Sequence, residues 1–211
     1  MFIFGHVGIT LGTATAVSAG IAKLRVSPQG SPAVSANTLP AHKIKDRPGS
    51  VSERIGLAAL SQFLDIRLLM IGALMPDIID KPLSFLGFGN GRSIIHTSLV
   101  FLIVLSVAMY LWRSRKKTWL LAIAIGMFTH LIFDRMWETP HTLFWPFYGW
   151  AFTAATYKIS LGQFSIWWNM LFTDSYVYIS EIIGFLIFAS FACILLYEKK
   201  LRVFLLRGIV R

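Results

Sequence analysis

One apolar run in this chain carries polar residues that a membrane-spanning helix rarely contains. The run covers residues 119–137 and is long enough to cross a bilayer as a helix. It includes His130 and Asp134, which lie one helical turn apart on the same face. A carboxylate at the centre of such a helix costs about 2.5–3.5 kcal/mol on insertion scales unless it is paired or bound. The pair therefore predicts either a buried hydrogen bond or part of a metal site.

The composition places this run in a membrane protein. Of 211 residues, 55% are hydrophobic and 14% are charged, and the mean hydropathy is +0.65. We therefore expect an all-α fold, a polytopic transmembrane helix bundle that forms a single integral membrane domain over residues 1–211. About five spans are expected, at residues 2–22, 55–75, 94–112, 118–137 and 177–197. Gln62, Asp65 and Arg67 interrupt the second of these, which leaves open whether it fully crosses the bilayer.

Two segments between the spans have a different composition. Residues 23–54 are rich in Ser, Pro, Ala and Gly and include several Lys and Arg residues, which predicts a flexible basic cytoplasmic loop. Residues 138–176 are rich in Trp, Tyr and Phe, which favour the headgroup level of a bilayer. Pro140 and Pro146 interrupt any long helix there. This segment is expected to be interfacial or re-entrant, or to form two ordinary short helices packed on the bundle.

The charge distribution indicates how the chain is oriented in the membrane. Fifteen of the twenty Lys and Arg residues fall in the 23–54 loop, the 113–117 turn and the C-terminal tail. Because cytoplasmic loops of membrane proteins are enriched in Lys and Arg, these segments are expected inside. The N-terminus then lies outside and the C-terminus in the cytoplasm of a plasma (inner) membrane protein. The same clustering at the ends of apolar segments argues against nucleic acid as a partner, despite a net charge of +10.

This topology gathers ligand-type residues at the outer face. Four of the five histidines fall there, and only His42 lies in the cytoplasmic loop. Singly, each residue has an ordinary explanation, such as a helix end or a buried hydrogen bond. Together they favour a metal site built from facing helices, with one to three zinc, manganese or iron ions. The set comprises His6, Asp77, Asp80, His96, His130, Asp134, Glu138 and His141. The last four of these residues share one face if the fourth helix persists to about Thr139.

The order of these residues resembles a known family. His6, Gly-Ala-Leu-Met-Pro-Asp77, His96-Thr97-Ser98 and Gly126-x3-His130-x3-Asp134 look like the YdjM family of membrane-bound metal-dependent hydrolases. The order is also similar to that of the zinc-dependent phospholipase C and P1 nuclease superfamily, whose zinc cluster attacks phosphoesters. The resemblance covers residues 6 to about 147. It implies that zinc is bound by six ligands, which are His6, Asp77, His96, His130, Asp134 and His141.

The same resemblance bears on catalysis. Asp80 corresponds to the second acid of the family's Pro-Asp-x-Asp pattern, displaced here by one residue. Arg92 lies four residues before His96, further away than the arginine that the family often carries there. Asp77 is a candidate general base or bridging ligand, and Arg92 or Arg135 a candidate phosphate contact. The candidate catalytic residues are Asp77, Asp80, Glu138 and Arg92.

Three functions remain open from the sequence. The first is a membrane-embedded metal-dependent hydrolase at the outer membrane face, with membrane lipids around it and a lipid or phosphoester as substrate. The second is an ion-coupled transporter or proton-relay protein that uses the same His and Asp residues. It requires polar residues through the cytoplasmic half, where Asp65, Arg67 and Gln62 are the only candidates. The third is a scaffold whose metal is structural. The sequence leaves the oligomeric state undetermined.

Overall fold

The computed structural model describes residues 2–26, 60, 64–86, 91–152 and 161–208. These residues form helices and contain no strand, which confirms the all-α prediction. A 3₁₀ helix spans Met136–Glu138. The expected basic loop at 23–54 falls almost entirely outside the described residues. The α-helices are α1 (Ile3–Val26), α2 (Ile66–Phe85), α3 (Ser98–Arg115), α4 (Trp119–Phe133), α5 (Pro140–Leu143), α6 (Leu161–Thr173), α7 (Ser175–Tyr197) and α8 (Leu201–Arg207).

Three helices among the described residues are long and apolar enough to cross a membrane. They are α1, α3 and α7, and they correspond to the first, third and fifth expected spans. α4 corresponds to the fourth, but it is shorter, with 15 residues. Apolar side chains on α3 and α7 are exposed on the isolated chain, including Leu102 and Phe185. Lipid would cover these faces, as expected for a membrane bundle.

The second expected span is misplaced. α2 begins at Ile66, because the Asp65 side chain accepts a hydrogen bond from the Arg67 backbone N–H and caps the helix. It then continues to Phe85, well past the expected end at position 75. Pro76 lies inside the helix and has no N–H to donate. The proline leaves the Gly72 carbonyl without its helical N–H partner. The neighbouring Ala73 carbonyl accepts a hydrogen bond from His130 of α4.

Two helix pairs approach backbone to backbone through glycines. A Cβ on Gly126 of α4 would overlap the α2 backbone at Leu69. A Cβ on Gly184 of α7 would overlap the α1 backbone at Phe4. Small residues allow this close approach between membrane helices. α1 also packs against α2 and α4, and α3 packs against α4, so the four helices that supply the site residues form one bundle with α7.

The bundle has two chemically different ends. At one end, which we call the histidine end, the start of α1 meets the start of α7 and the ends of α2 and α4. The opposite end is called the basic end, because it holds most of the described Lys and Arg residues. There the end of α8 contacts the start of α2, through the hydrogen bond from Ile66 N–H to the Gly208 carbonyl (3.3 Å). Polar chemistry is therefore concentrated at two separate levels of an apolar bundle.

Candidate metal centre

Five of the six predicted metal ligands converge at the histidine end. His6 lies on α1, Asp77 on α2, His96 in the turn before α3, His130 on α4, and Asp134 directly after α4. The three imidazoles are fully buried, and Asp134 is 6% exposed. Two overlapping groups can each hold an ion with donor atoms within 4.8 Å of one another: His6, Asp77 and His130, and His96, His130 and Asp134. Four segments that are distant in sequence are thus brought to one point.

Three donor atoms form a compact triangle. The Nε2 atoms of His96 and His130 are 3.2 Å apart. Oδ1 of Asp77 lies 3.7 Å from the first and 3.9 Å from the second. Metal–ligand bonds of about 2.0–2.2 Å place neighbouring donors roughly 3–3.5 Å apart, so this triangle needs little adjustment around an ion. Two imidazoles and one carboxylate on one side of an ion form a known arrangement with open positions.

The other oxygen of Asp77 faces a second set of donors. Oδ2 lies 4.0 Å from His6 Nε2, which is itself 3.6 Å from Asp134 Oδ1. The two oxygens of Asp77 therefore face different histidines. A carboxylate in this position can serve one ion or join two, so the five residues fit one or two divalent ions.

The hydrogen bonds of the ring nitrogens leave the Nε2 atoms directed into the site. His130 Nδ1 lies 2.7 Å from the Ala73 carbonyl, which only accepts, so Nδ1 carries the hydrogen. His96 Nδ1 lies 2.7 Å from Asp80 Oδ2. In the neutral rings both Nε2 atoms are then acceptors, and at 3.2 Å they require a proton or a metal ion between them. Metal-bound histidines typically donate their other ring N–H to a carboxylate or a backbone carbonyl in this way.

The electrostatics at His96 favour a positive charge. Burial alone would lower the pKa of His96, but the carboxylates of Asp77 and Asp80 outweigh burial and raise the pKa above its ordinary value. A cation is therefore stabilised at this position, whether it is a proton on the ring or an ion next to it.

The imidazole of His6 lacks hydrogen-bond partners among the described residues. Its side chain is fully buried, and neither ring nitrogen has a hydrogen-bond partner among them. The ring stacks on His130 with centroids 4.0 Å apart and an interplanar angle of 22°. An unsatisfied buried polar group costs about 1–3 kcal/mol. A metal ion next to Nε2 would remove that cost, so the burial of His6 fits a ligand.

The carboxylate of Asp80 is hydrogen-bonded to the turn that carries His96. Its buried carboxylate accepts hydrogen bonds from the backbone N–H groups of Ser93 (2.8 Å), Ile95 (3.1 Å) and His96 (3.2 Å), besides the His96 ring. The sequence predicts a catalytic role for Asp80. Its hydrogen bond to Nδ1 orients the His96 ring, and a catalytic role for Asp80 stays a prediction.

Two cations adjoin the donor set. Arg92 Nε lies 2.8 Å from Asp134 Oδ2, and Lys81 Nζ lies 2.6 Å from Asp77 Oδ2. Arg92 is a predicted site residue, and the structure brings it to the cluster. Sequence reasoning missed Lys81, although its position four residues after Asp77 on a helix was an available signal.

Glu138 and His141 do not share a helix face with His130. The expected helix to about Thr139 is wrong: α4 ends at Phe133, and Arg135 turns the chain with a φ of 52°. Glu138 is exposed and pairs with Arg135 at 3.2 Å. His141 is exposed, with Nδ1 3.4 Å from the Tyr148 carbonyl oxygen. Neither belongs to the two ligand groups, so a catalytic role for Glu138 and a ligand role for His141 stay predictions.

Glu181 is a further residue that sequence reasoning missed. From α7 its carboxylate accepts hydrogen bonds from the backbone N–H groups of Phe2 (2.7 Å), Phe4 (3.1 Å) and Gly5 (2.9 Å). It therefore caps the first turn of α1, one residue before His6. The available signal was a single carboxylate in an otherwise apolar helix, which has to find donors.

Comparison with known proteins agrees with the pattern of these residues. The sequence model of the YdjM inner membrane protein family matches residues 49–203. The chain belongs to the YdjM inner membrane protein family. This confirms the family resemblance and a membrane protein, and the matched range contains Asp77, His96, His130 and Asp134 but not His6. No curated protein and no solved structure matches the chain. The likeness to zinc-dependent phospholipase C and P1 nuclease stays a prediction.

Proposed function

We propose that this YdjM-family protein is a membrane-embedded, metal-dependent hydrolase. The observation that carries the proposal is the pair of Nε2 atoms of His96 and His130, which face each other at 3.2 Å with both Nδ1 atoms engaged. His6, Asp77 and Asp134 complete a buried set of nitrogen and oxygen donors without thiolate. Zinc suits this set best, and manganese or iron also fits.

The roles of the protein groups follow from their positions. His6, Asp77, His96, His130 and Asp134 would hold a divalent ion, which would supply a Lewis acid and a water molecule with a pKa lowered towards neutrality. Asp80 and the Ala73 carbonyl hold the rings of His96 and His130 so that both Nε2 atoms point to one place. Among the proposed ligands, Asp77 has the most exposed side chain, at 13%. We assign it the transfer of a proton to or from solvent.

The substrate is proposed to be a phosphoester or a lipid at the outer face. On the positive-inside rule, the basic end lies in the cytoplasm and the histidine end faces outward. The 3₁₀ helix and the segment after α5 expose large aromatic side chains, including Trp137, Phe147 and Trp150. Aromatic residues of this kind favour the headgroup level, where a lipid substrate would approach the site.

The described core supports a hydrolase over a transporter. Below the cluster, Thr10 and Thr129 form a hydrogen bond of 2.9 Å. Further towards the basic end, the described residues pack into an apolar core around Leu11, Leu69 and Phe191. A proton or ion path would need polar groups through this level. The residues of that core are apolar, and beside it Thr15 and Ser190, which line a cavity with Leu11 and Phe191, carry hydroxyl groups but no ionisable group. In the described part of the bundle, the ionisable groups of the cluster therefore lie on the histidine side of this core.

An activity measurement with a folding control tests the proposal. The purified protein is assayed with soluble phosphoesters, phospholipids and carboxylic esters, before and after chelation and metal addition. We expect hydrolysis that is lost on chelation and restored by zinc or manganese. His130→Ala should remove activity while the helix content is retained and the bundle still unfolds cooperatively, at a midpoint lowered by about as much as chelation lowers that of the wild type. Bound metal without hydrolysis of any substrate class, or unfolding of His130→Ala together with loss of metal, would contradict the proposal and favour a structural ion.

A further inference from the structure

Two basic side chains approach the donor set from different elements. Lys81 projects from α2, one turn after Asp77, and its Nζ lies 2.6 Å from Asp77 Oδ2. Arg92 belongs to the turn before α3, and its Nε lies 2.8 Å from Asp134 Oδ2. Each cation thus contacts a carboxylate whose other oxygen faces a histidine Nε2. They flank the cluster rather than forming part of the donor set.

The turn before α3, which carries Arg92, lies against Lys81. Gly91 has a φ of 86°, a conformation that favours glycine. A Cβ at Gly91 would lie 3.8 Å from Lys81 Cγ and 3.6 Å from Ser84 Oγ. The turn that carries Arg92 therefore packs against the aliphatic part of Lys81. Both side chains remain partly exposed, 36% for Lys81 and 39% for Arg92, so an approaching molecule can reach them.

The net charge of this site determines whether it attracts an anion or a cation. Three carboxylates, from Asp77, Asp80 and Asp134, and two cations, from Lys81 and Arg92, leave one negative charge when the imidazoles are neutral. One divalent ion reverses this to one positive charge, and a second ion makes the site more positive. A site of that sign with two side chains that donate hydrogen bonds attracts an oxyanion, whereas a neutral carboxylic ester gains little from it.

We propose that Lys81 and Arg92 form an oxyanion clamp that binds the phosphate group of the substrate above the metal centre. This inference rests on the proposed hydrolase function and narrows its substrate to phosphoesters. The singly charged phosphodiester balances the single positive charge of the site with one ion. Lys81 supplies a point charge and Arg92 a planar group of donors, the two side chains that proteins use most for phosphate. Both are specificity-determining residues.

Orthophosphate binding to the metal-loaded protein tests the clamp without relying on turnover. The variants are Lys81→Met and Arg92→Gln, and Arg113→Gln is the control. Arg113 is exposed in the last turn of α3, at the basic end. Calorimetry should show that each clamp variant weakens phosphate binding about tenfold or more, with unchanged metal content. Lys81→Arg should restore most of the binding, and Arg113→Gln should bind like the wild type.

The outcomes separate the clamp from the hydrolase proposal. Equal phosphate affinity in wild type and clamp variants, or a metal-loaded wild type that does not bind phosphate, would overturn the clamp alone. A wild type that binds no metal would overturn the proposed function instead. If Lys81→Met does not fold, Lys81→Gln and Arg92→Lys provide the same comparison with smaller changes.

Two further experiments identify the kind of molecule whose phosphate group is bound. With a soluble aryl phosphodiester and an aryl carboxylic ester, the clamp variants should raise the KM for the diester and leave that for the carboxylic ester unchanged. Equal effects on both esters would contradict a phosphate-specific clamp. Vesicles of phosphatidylglycerol that compete with orthophosphate in the wild type, but not in Arg92→Gln, would assign the group to a lipid headgroup. Competition by the soluble diester alone would assign it to a free phosphoester.

Discussion

The polar and charged side chains at the two ends of the bundle differ in how completely protein groups pair them. At the basic end, the Asp65 carboxylate receives hydrogen bonds from the Arg67 backbone and guanidinium, and Arg67 Nη1 donates to the Leu205 carbonyl. At the histidine end, the described partners leave His6 without a hydrogen bond and bring acceptor nitrogens of His96 and His130 to 3.2 Å. One end is satisfied by protein groups, and the other needs a cation.

Removal of the ion bound at the histidine end should have the largest effect on the stability of the protein. This effect should not depend on the contacts at the basic end. An ion held at one hundred times its Kd stabilises the folded state by about 2.7 kcal/mol. Chelation should therefore lower the thermal midpoint of the wild type by several degrees. Arg67→Ala should lower the midpoint as well, and chelation should then cause the same further decrease, because the two ends lie far apart. A midpoint that chelation does not change would contradict the ion requirement.

Asp80→Asn should weaken metal binding without disrupting the bundle. The amide keeps one oxygen for the backbone N–H groups of Ser93 and Ile95, but it no longer holds the His96 ring with a charged acceptor. Loss of such a supporting contact costs roughly 10–100-fold in metal affinity. Competition with a coloured chelator measures this change, and circular dichroism should show unchanged helix content. Unchanged affinity would show that Asp80 does not orient His96.

Glu181→Gln should have a smaller effect on both the thermal stability of the fold and the affinity for metal. The substitution removes the charge that caps the first turn of α1, and helix caps contribute about 1 kcal/mol. Because His6 follows that turn directly, we expect a midpoint lower by a few degrees and a modest decrease in metal affinity. The decrease should be smaller than that of Asp80→Asn. A decrease in the midpoint with no change in affinity would separate the cap from the site.

The smallest effect is expected at the basic end, from Asp65→Asn. Burial raises the pKa of Asp65, but hydrogen bonds from the Arg67 side chain and backbone outweigh it and lower the pKa below its ordinary value. The stabilisation is therefore present above the unfolded pKa of about 3.9 and is lost as the pH falls through the folded pKa. At pH 7 the variant should melt slightly lower than the wild type, and the difference should shrink towards pH 3. A difference independent of pH would contradict this assignment.

The convergence of ligands could be predicted from the sequence because charge and apolar length constrain a membrane bundle strongly. Once the basic segments are placed on one side, His6, Asp77, His96 and His130 must reach the same level. That prediction needs neither side-chain geometry nor exact helix ends. The all-α fold follows from the composition and the apolar segments, and the family resemblance follows from the motifs around the ligand-type residues. Both are confirmed.

Helix boundaries and supporting contacts could not be predicted in the same way. Asp65 interrupts an apolar pattern, yet it starts α2 as a cap, and hydropathy alone does not distinguish the two roles. Arg135 adopts a left-handed conformation and ends the face that would have carried Glu138 and His141. Asp80 and Glu181 act through backbone N–H groups of other segments. Such contacts depend on tertiary packing, and residue spacing does not reveal them.

Element-resolved metal analysis of the purified protein tests the central claim most directly. The wild type is compared with His130→Ala and with His42→Ala, the one histidine outside the predicted ligand set. We predict at least one equivalent of zinc, manganese or iron in the wild type and in His42→Ala, and almost none in His130→Ala. Absence of metal from the wild type after growth and purification with zinc and manganese supplied, or equal metal in both variants, would contradict the account.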